Sequence, residues 1–79
     1  MLSELENAEK VVGIKQARRA LAKGRVKRLY LARDADPQLT GPLERQGREQ
    51  GAQIAWADTM KALGRACGIA VGSAVAAII

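Results

Sequence analysis

Seventy-nine residues, 48% hydrophobic and 27% charged, allow one folded core and exclude both a pair of domains and a disordered tail, so a single domain over residues 1–79 is expected. A lone Cys67 and the absence of histidine exclude an internal disulfide, a multi-cysteine metal site and any catalysis built on histidine. The net charge is +5, and nine of the thirteen basic residues (Lys10, Lys15, Arg18, Arg19, Lys23, Arg25, Lys27, Arg28 and Arg33) lie in an acid-free interval, which excludes a surface of mixed sign there and points to a polyanionic partner.

The opening MLSELENAEK is acidic where a secretory leader needs cations and an apolar run, so no leader is expected and the cytoplasm is the expected compartment. Ser3 and Glu6 have the S-x-x-E spacing of a capping box and predict a short helix from Glu4 to Glu9. Val11-Val12 is a β-branched step that reads as an edge or short strand before Gly13 lets the chain turn.

Gly13 to Gly24 (GIKQARRALAKG) organises the chain. At about 100° per residue, Ile14, Ala17, Ala20 and Leu21 fall on one face of a helix. Lys15, Arg19 and Lys23 stack on another, with Gln16 beside them. A row of long cations with one amide at a helix start suits phosphates and base edges. Gly24 is the expected C′ residue.

Val26 to Arg33 (VKRLYLAR) reads as a strand with Leu29, Tyr30, Leu31 and Ala32 buried. Asp36-Pro37 is a helix start, with the carboxylate capping free amides and proline at the first helical position. Thr40-Gly41-Pro42 is a place to restart or bend that helix before it runs from Leu43 to Gln50 and stops at Gly51. Gln53 to Ala57 (QIAWA) is a second short strand, and Asp58 is the N-cap candidate for a helix over Thr59 to Cys67, closed by Gly68. The apolar tail from Ile69 to Ile79 is too short to span a bilayer as a helix, so no membrane partner is expected. Ser73 to Ile79 is taken as a buried strand, with Gly68 to Gly72 as the loop before it. Strands alternating with helices predict a three-layer α/β/α sandwich around one mixed sheet of about four strands.

Tyr30 and Trp56 are the only aromatics, so several bases cannot stack on rings, and both are expected in the core. Structured RNA read by shape and by helix cations is the ligand this leaves. Asp34 and Asp36 have the D-x-D look of a metal or phosphotransfer pair, but strand-end capping explains Asp34 at less cost, so no metal, cofactor or enzymatic activity is expected. Gly13-Ile14-Lys15 lacks the frame of a P-loop. Ile69 and Val71, between two glycines, read two ways: as core residues, or as an apolar rim that accepts a base displaced from its stack.

Three segments together carry a resemblance: Gly13-Ile14-Lys15-Gln16 with Arg19 and Gly24; Ala32-Arg33-Asp34-Ala35-Asp36-Pro37; and Leu63-Gly64-Arg65-Ala66-Cys67-Gly68-Ile69-Ala70-Val71-Gly72. From about Val11 to Ile79 the chain resembles the ribosomal L-seven-Ae family, above all its bacterial single-domain branch, described as ribosome-associated. The resemblance implies an α/β/α sandwich that binds kink-turns, RNA stems bent at a bulge beside tandem sheared G·A pairs, and makes ribosomal RNA one candidate ligand. It places the start of the Gly13 helix at the G·A pairs: Gly13 allows close approach, Ile14 is counted beside it among the RNA-binding residues, Lys15 and Gln16 meet guanine edges, and Arg19 meets a guanine or a phosphate. Asp36 would lie near the extruded bulge base, with Ile69, Ala70 and Val71 as its apolar cover. Where archaeal and eukaryotic members carry Asn-Glu this chain has Lys15-Gln16, as the bacterial branch tends to. Ile14, Met60 and Ala70 stand where a threonine, a basic and an acidic residue are usual. The expectation is a monomeric, non-enzymatic kink-turn binder, with Arg28 a lesser, sequence-blind contact. A protein-interaction module on the same fold is the alternative.

Overall fold

The computed structural model describes residues 2–79. A 3₁₀ turn, Leu2–Glu6, leads into strand β1, Lys10–Val12, and helix α1, Ile14–Ala22. Strand β2, Arg28–Ala32, helix α2, Pro37–Glu49, and strand β3, Gln53–Ala57, follow; helix α3, Met60–Ala66, and strand β4, Val75–Ile78, close the chain. The four strands form one mixed sheet in the order β1-β4-β2-β3. The final segment therefore lies inside the sheet, with β1 and β3 as the edges.

Side-chain alternation along β2 sets the layers. Leu29 and Leu31 point to one face, where they meet Ala17, Ala20 and Leu21 of α1, Leu43 of α2, and Val75 and Ala77 of β4. Tyr30 and Ala32 point to the other, against Leu5, Ala57, Leu63 and Ala76. The result is the expected α/β/α sandwich, with α1 and α2 on one face and α3 and the 3₁₀ turn on the other. The α1/α2 side is filled by leucine, alanine and valine, and the α3 side by Leu5, Tyr30 and Leu63 among alanines 32, 35, 57 and 76. Each fully buried leucine or valine stabilises by roughly 1.5–3 kcal/mol relative to leaving it exposed.

Strand direction then decides where the helices begin. β3 pairs parallel with β2, while β4 runs antiparallel to both β2 and β1. β1, β2 and β3 therefore point the same way, and each feeds a helix. The N-termini of α1, α2 and α3 and the start of β4 all gather at one end of the sheet.

Four local expectations are corrected. Ser3 and Glu6 do not frame a helix over Glu4 to Glu9, because the turn begins earlier, is 3₁₀, and ends at Glu6. Five residues cannot sustain an α-helix alone, and the turn is held instead by buried Leu5 and by Glu4, which accepts hydrogen bonds from Tyr30 Oη and Arg28 Nη1. Pro42 neither restarts nor ends α2, which is continuous; the N–H it lacks would have bonded to Gln38, and both residues face solvent, where water can take that carbonyl. Trp56 is not in the core: it lies on edge strand β3, 38% exposed, with the Arg33 guanidinium 5.6 Å from its ring centroid. Asp58 does not cap α3, as the next section shows.

Candidate functional site

Gly13 marks the junction of β1 and α1. Its φ of 105° and ψ of 157° lie in a region that only glycine adopts without strain, and a Cβ built there would meet open space. Glycine is thus demanded by the backbone angle and not by crowding. It also gives α1 an N-cap with no side chain, so the first-turn amides of Ile14, Lys15 and Gln16 have no acceptor among the described residues. The first helical bond is Ala17 N–H to Gly13 O, 2.9 Å.

The other two helices are closed at the same end. Asp36 Oδ1 accepts from Gln38 N–H at 2.9 Å and caps α2, as the Asp36-Pro37 pair predicts. α3 is capped by Thr59, whose Oγ1 accepts from Ala62 N–H at 3.0 Å, and by Asp34, whose Oδ1 accepts from Met60 N–H at 2.8 Å. Asp34 is therefore a cap, but of a helix far along the chain. Asp58 instead lies 3.7 Å from Arg33 Nε at the surface. Of the three positive helix ends gathered here, only that of α1 is left open to an anion.

Three consecutive residues tie these starts together. Ser73 N–H donates to Met60 O at 3.0 Å, Ala74 O accepts from Ala32 N–H at 2.9 Å, and Val75 O accepts from Gly13 N–H at 2.9 Å. Ser73 Oγ also donates to Val75 O, 2.7 Å, which satisfies its buried hydroxyl. Val71 precedes Val75 by four residues and Ile69 by six, so they lie at most roughly 14 Å and 21 Å of chain from the carbonyl that holds Gly13. In sheet order the segment leads into β4, with Gly13 on the β1 side and Asp34 to Asp36 on the β2 side.

The segment is fixed by two glycines. A Cβ on Gly64 would lie 2.1 Å from Val71 O, and one on Gly72 would lie 3.1 Å from Met60 C. The loop thus lies directly on α3, backbone to backbone. Ile69 is 37% exposed and Val71 71% exposed, so neither is a core residue. Ala70 is exposed as well.

The open first turn of α1 and Asp36 thus lie at one end of the sheet, and the exposed 69–71 segment, packed on α3, leads into β4 at that end. Lys15, Gln16 and Arg19 are exposed, and Gln16 and Arg19 line a groove on the β1 side of α1. Ile14 is half-buried against the core, so its amide is what it offers. Of the nine clustered cations, Arg28 is bound to Glu4 and Gln53, and Arg33 to Asp58. The other seven have no acidic partner among the described residues. Sequence reasoning quoted Gly64, Gly72 and Ser73 but gave none of them a part in the site. Gly64 did leave a signal, since glycine inside a short amphipathic helix costs about 1 kcal/mol and calls for a packing reason.

Residues 2–79 match the model of the Ribosomal protein L7Ae/L30e/S12e/Gadd45 family. The chain belongs to that family. Among its relatives, the chain is 45% identical over 69 residues to an RNA-binding protein of Bacillus pumilus, covering 87% of this chain and 84% of that one. It is 42% identical, with the same coverage, to an RNA-binding protein of Caldanaerobacter subterraneus. Among solved structures, the Giardia lamblia 15.5kD RNA binding protein superposes with a TM-score of 0.84 at 26% identity, covering 98% of this chain and 66% of that one. A Bacillus halodurans protein of unknown function shares the fold at a TM-score of 0.85 and 23% identity. Family membership accounts for the collinearity of the three motifs. Among the described residues, no helix is long and apolar enough to cross a membrane.

Proposed function

We propose that this family member is a non-enzymatic binder of kink-turn RNA. The observation that carries the reading is the uncapped first turn of α1, whose three amides have no acceptor among the described residues, with Lys15, Gln16 and Arg19 exposed on the same helix. Amides and cations suit phosphates and guanine edges, and Gly13 leaves the backbone open to close approach. Ile69, Ala70 and Val71 offer apolar surface to a base that has left its stack, and burying its ring face offsets part of the unstacking cost. Asp36, although bonded to Gln38 N–H, keeps an exposed carboxylate oxygen for a bulge nucleotide. The names of the Bacillus pumilus and Caldanaerobacter relatives support RNA as the ligand. Ribosomal RNA is one source of such a motif.

The test is a gel-shift comparison of a kink-turn duplex with a copy whose G·A pairs are replaced by Watson–Crick pairs. Clear preference for the first is expected. Equal binding of both would defeat the reading and leave a basic protein of no RNA specificity. A protein-interaction role has one observation behind it, the exposure of Leu39, Trp56, Met60 and Val71. Capture of a partner that persists after nuclease digestion would favour that role.

A further inference from the structure

The groove on the β1 flank of α1 extends well beyond the residues assigned to the G·A pairs. Its walls are Gln16, Arg19 and Lys23 of one helix flank and Arg25 from the turn that follows; its floor is Val11, Ala20 and Ile79. No carboxylate side chain lines it.

Arg25 is held there by the helix end. Gly24, at φ +65°, donates N–H to Leu21 O at 3.0 Å, and Arg25 N–H returns to Ala20 O at 3.1 Å, so the chain folds back and sets a third cation beside the helix. Arg19, Lys23 and Arg25 have no ion-pair partner among the described residues, so their field is not neutralised. Gln16, Arg19 and Lys23 also run along the helix axis within the groove. At 1.5 Å per residue they span about 10 Å, towards the end of the sheet opposite the start of α1. One isolated anion would use two such cations. A row of this length over a narrow apolar floor matches a run of successive phosphodiesters with riboses above Val11, Ala20 and Ile79.

From this geometry we infer that the groove holds the sugar-phosphate backbone of one RNA strand, the continuation of a stem beyond the kink, gripped by Lys23 and Arg25 without reading its bases. The assignment rests on the RNA reading above and adds a second contact region to it. Kink recognition and stem contact are then separable: the first belongs to the start of α1, the second to its far end.

The experiment measures affinity for a minimal kink-turn duplex and for two extended versions, each lengthening one of the two stems by about one helical turn. One extension is expected to tighten binding roughly tenfold at moderate salt. A Lys23→Gln, Arg25→Gln double variant should lose that gain while keeping wild-type affinity for the minimal duplex and its preference for G·A pairs. Its salt slope on the favoured long duplex should fall by about two, one per cation removed. Circular dichroism of the variant checks that these two exposed positions leave the fold intact. The inference is overturned if neither extension tightens binding, if the double variant keeps the gain, or if it loses as much on the minimal duplex. An acidic peptide as the occupant would give the first of these results. A gain with length but no preference for G·A pairs would defeat the kink-turn reading alone; preference without the gain would defeat only the groove assignment.

Discussion

Arg28 belongs by sequence to the basic interval, yet its guanidinium is bonded to Glu4 and to Gln53 Oε1, with Nε at 3.0 Å from the latter. Lys15 and Gln16 have no such partners among the described residues and keep their polar groups for a ligand. Lys15→Ala and Gln16→Ala should therefore each cost about 1–3 kcal/mol of RNA affinity and narrow the preference for G·A pairs, as measured by titration. Arg28→Ala should instead lower the unfolding midpoint with little effect on affinity. The same cluster sets an acid dependence. Hydrogen bonding from Tyr30, and with it Arg28, holds the Glu4 carboxyl below its ordinary value against the opposing effect of burial. Its contribution to stability is then complete above the usual carboxylate range and is lost as the pH falls through the lowered value. Burial pushes the Tyr30 phenol up, so that group stays protonated through neutral pH. Glu4→Gln should flatten the acid side of the stability profile in denaturant titrations run at stepped pH.

The contact between α3 and the 69–72 loop is made of backbone, which makes it sensitive to one methyl group. Gly64→Ala would drive Cβ to 2.1 Å from Val71 O, and a carbonyl cannot rotate away as a side chain can. We expect a loss of roughly 1–3 kcal/mol in stability, and a displaced rim that weakens binding of an extruded base more than binding of a plain duplex. Thermal melts and paired RNA titrations would show the two effects. How far such elements can be read from sequence depends on the range of the forces that fix them. The α1 pattern, the Asp36-Pro37 start and the Gln53–Ala57 strand were legible because propensity, capping and periodicity act within a few residues. Asp34 capping α3, Gly64 under Val71 and Glu4 holding Arg28 were not, since each joins residues distant in the chain. Trp56 was misread because its strand gives no sign of being an edge until the sheet order is known. Local patterning reached the cations of α1 and left Ile69 and Val71 between core and rim, because whether a short apolar loop is covered depends on what packs over it from elsewhere in the chain.

At the scale of the molecule, seven unneutralised cations in one region make the free protein repel itself. Raising salt from low ionic strength should therefore raise Tm in the absence of RNA and lower RNA affinity, two opposite responses to one variable that calorimetry and titration can separate. The last strand has a consequence for biosynthesis. Among the described residues β4 is the one reversed strand; it lies between β1 and β2, and Ser73, Ala74 and Val75 bond to Met60 at the start of α3, to the end of β2 and to Gly13 before α1. A nascent chain can form the β2-α2-β3 unit early, but the sheet stays split until Val75–Ile78 has been made and slots between strands made long before. Competence to bind would then arrive in a single late step, so a polypeptide interrupted just short of Ser73 would hold every cation named above and still have no surface on which to arrange them.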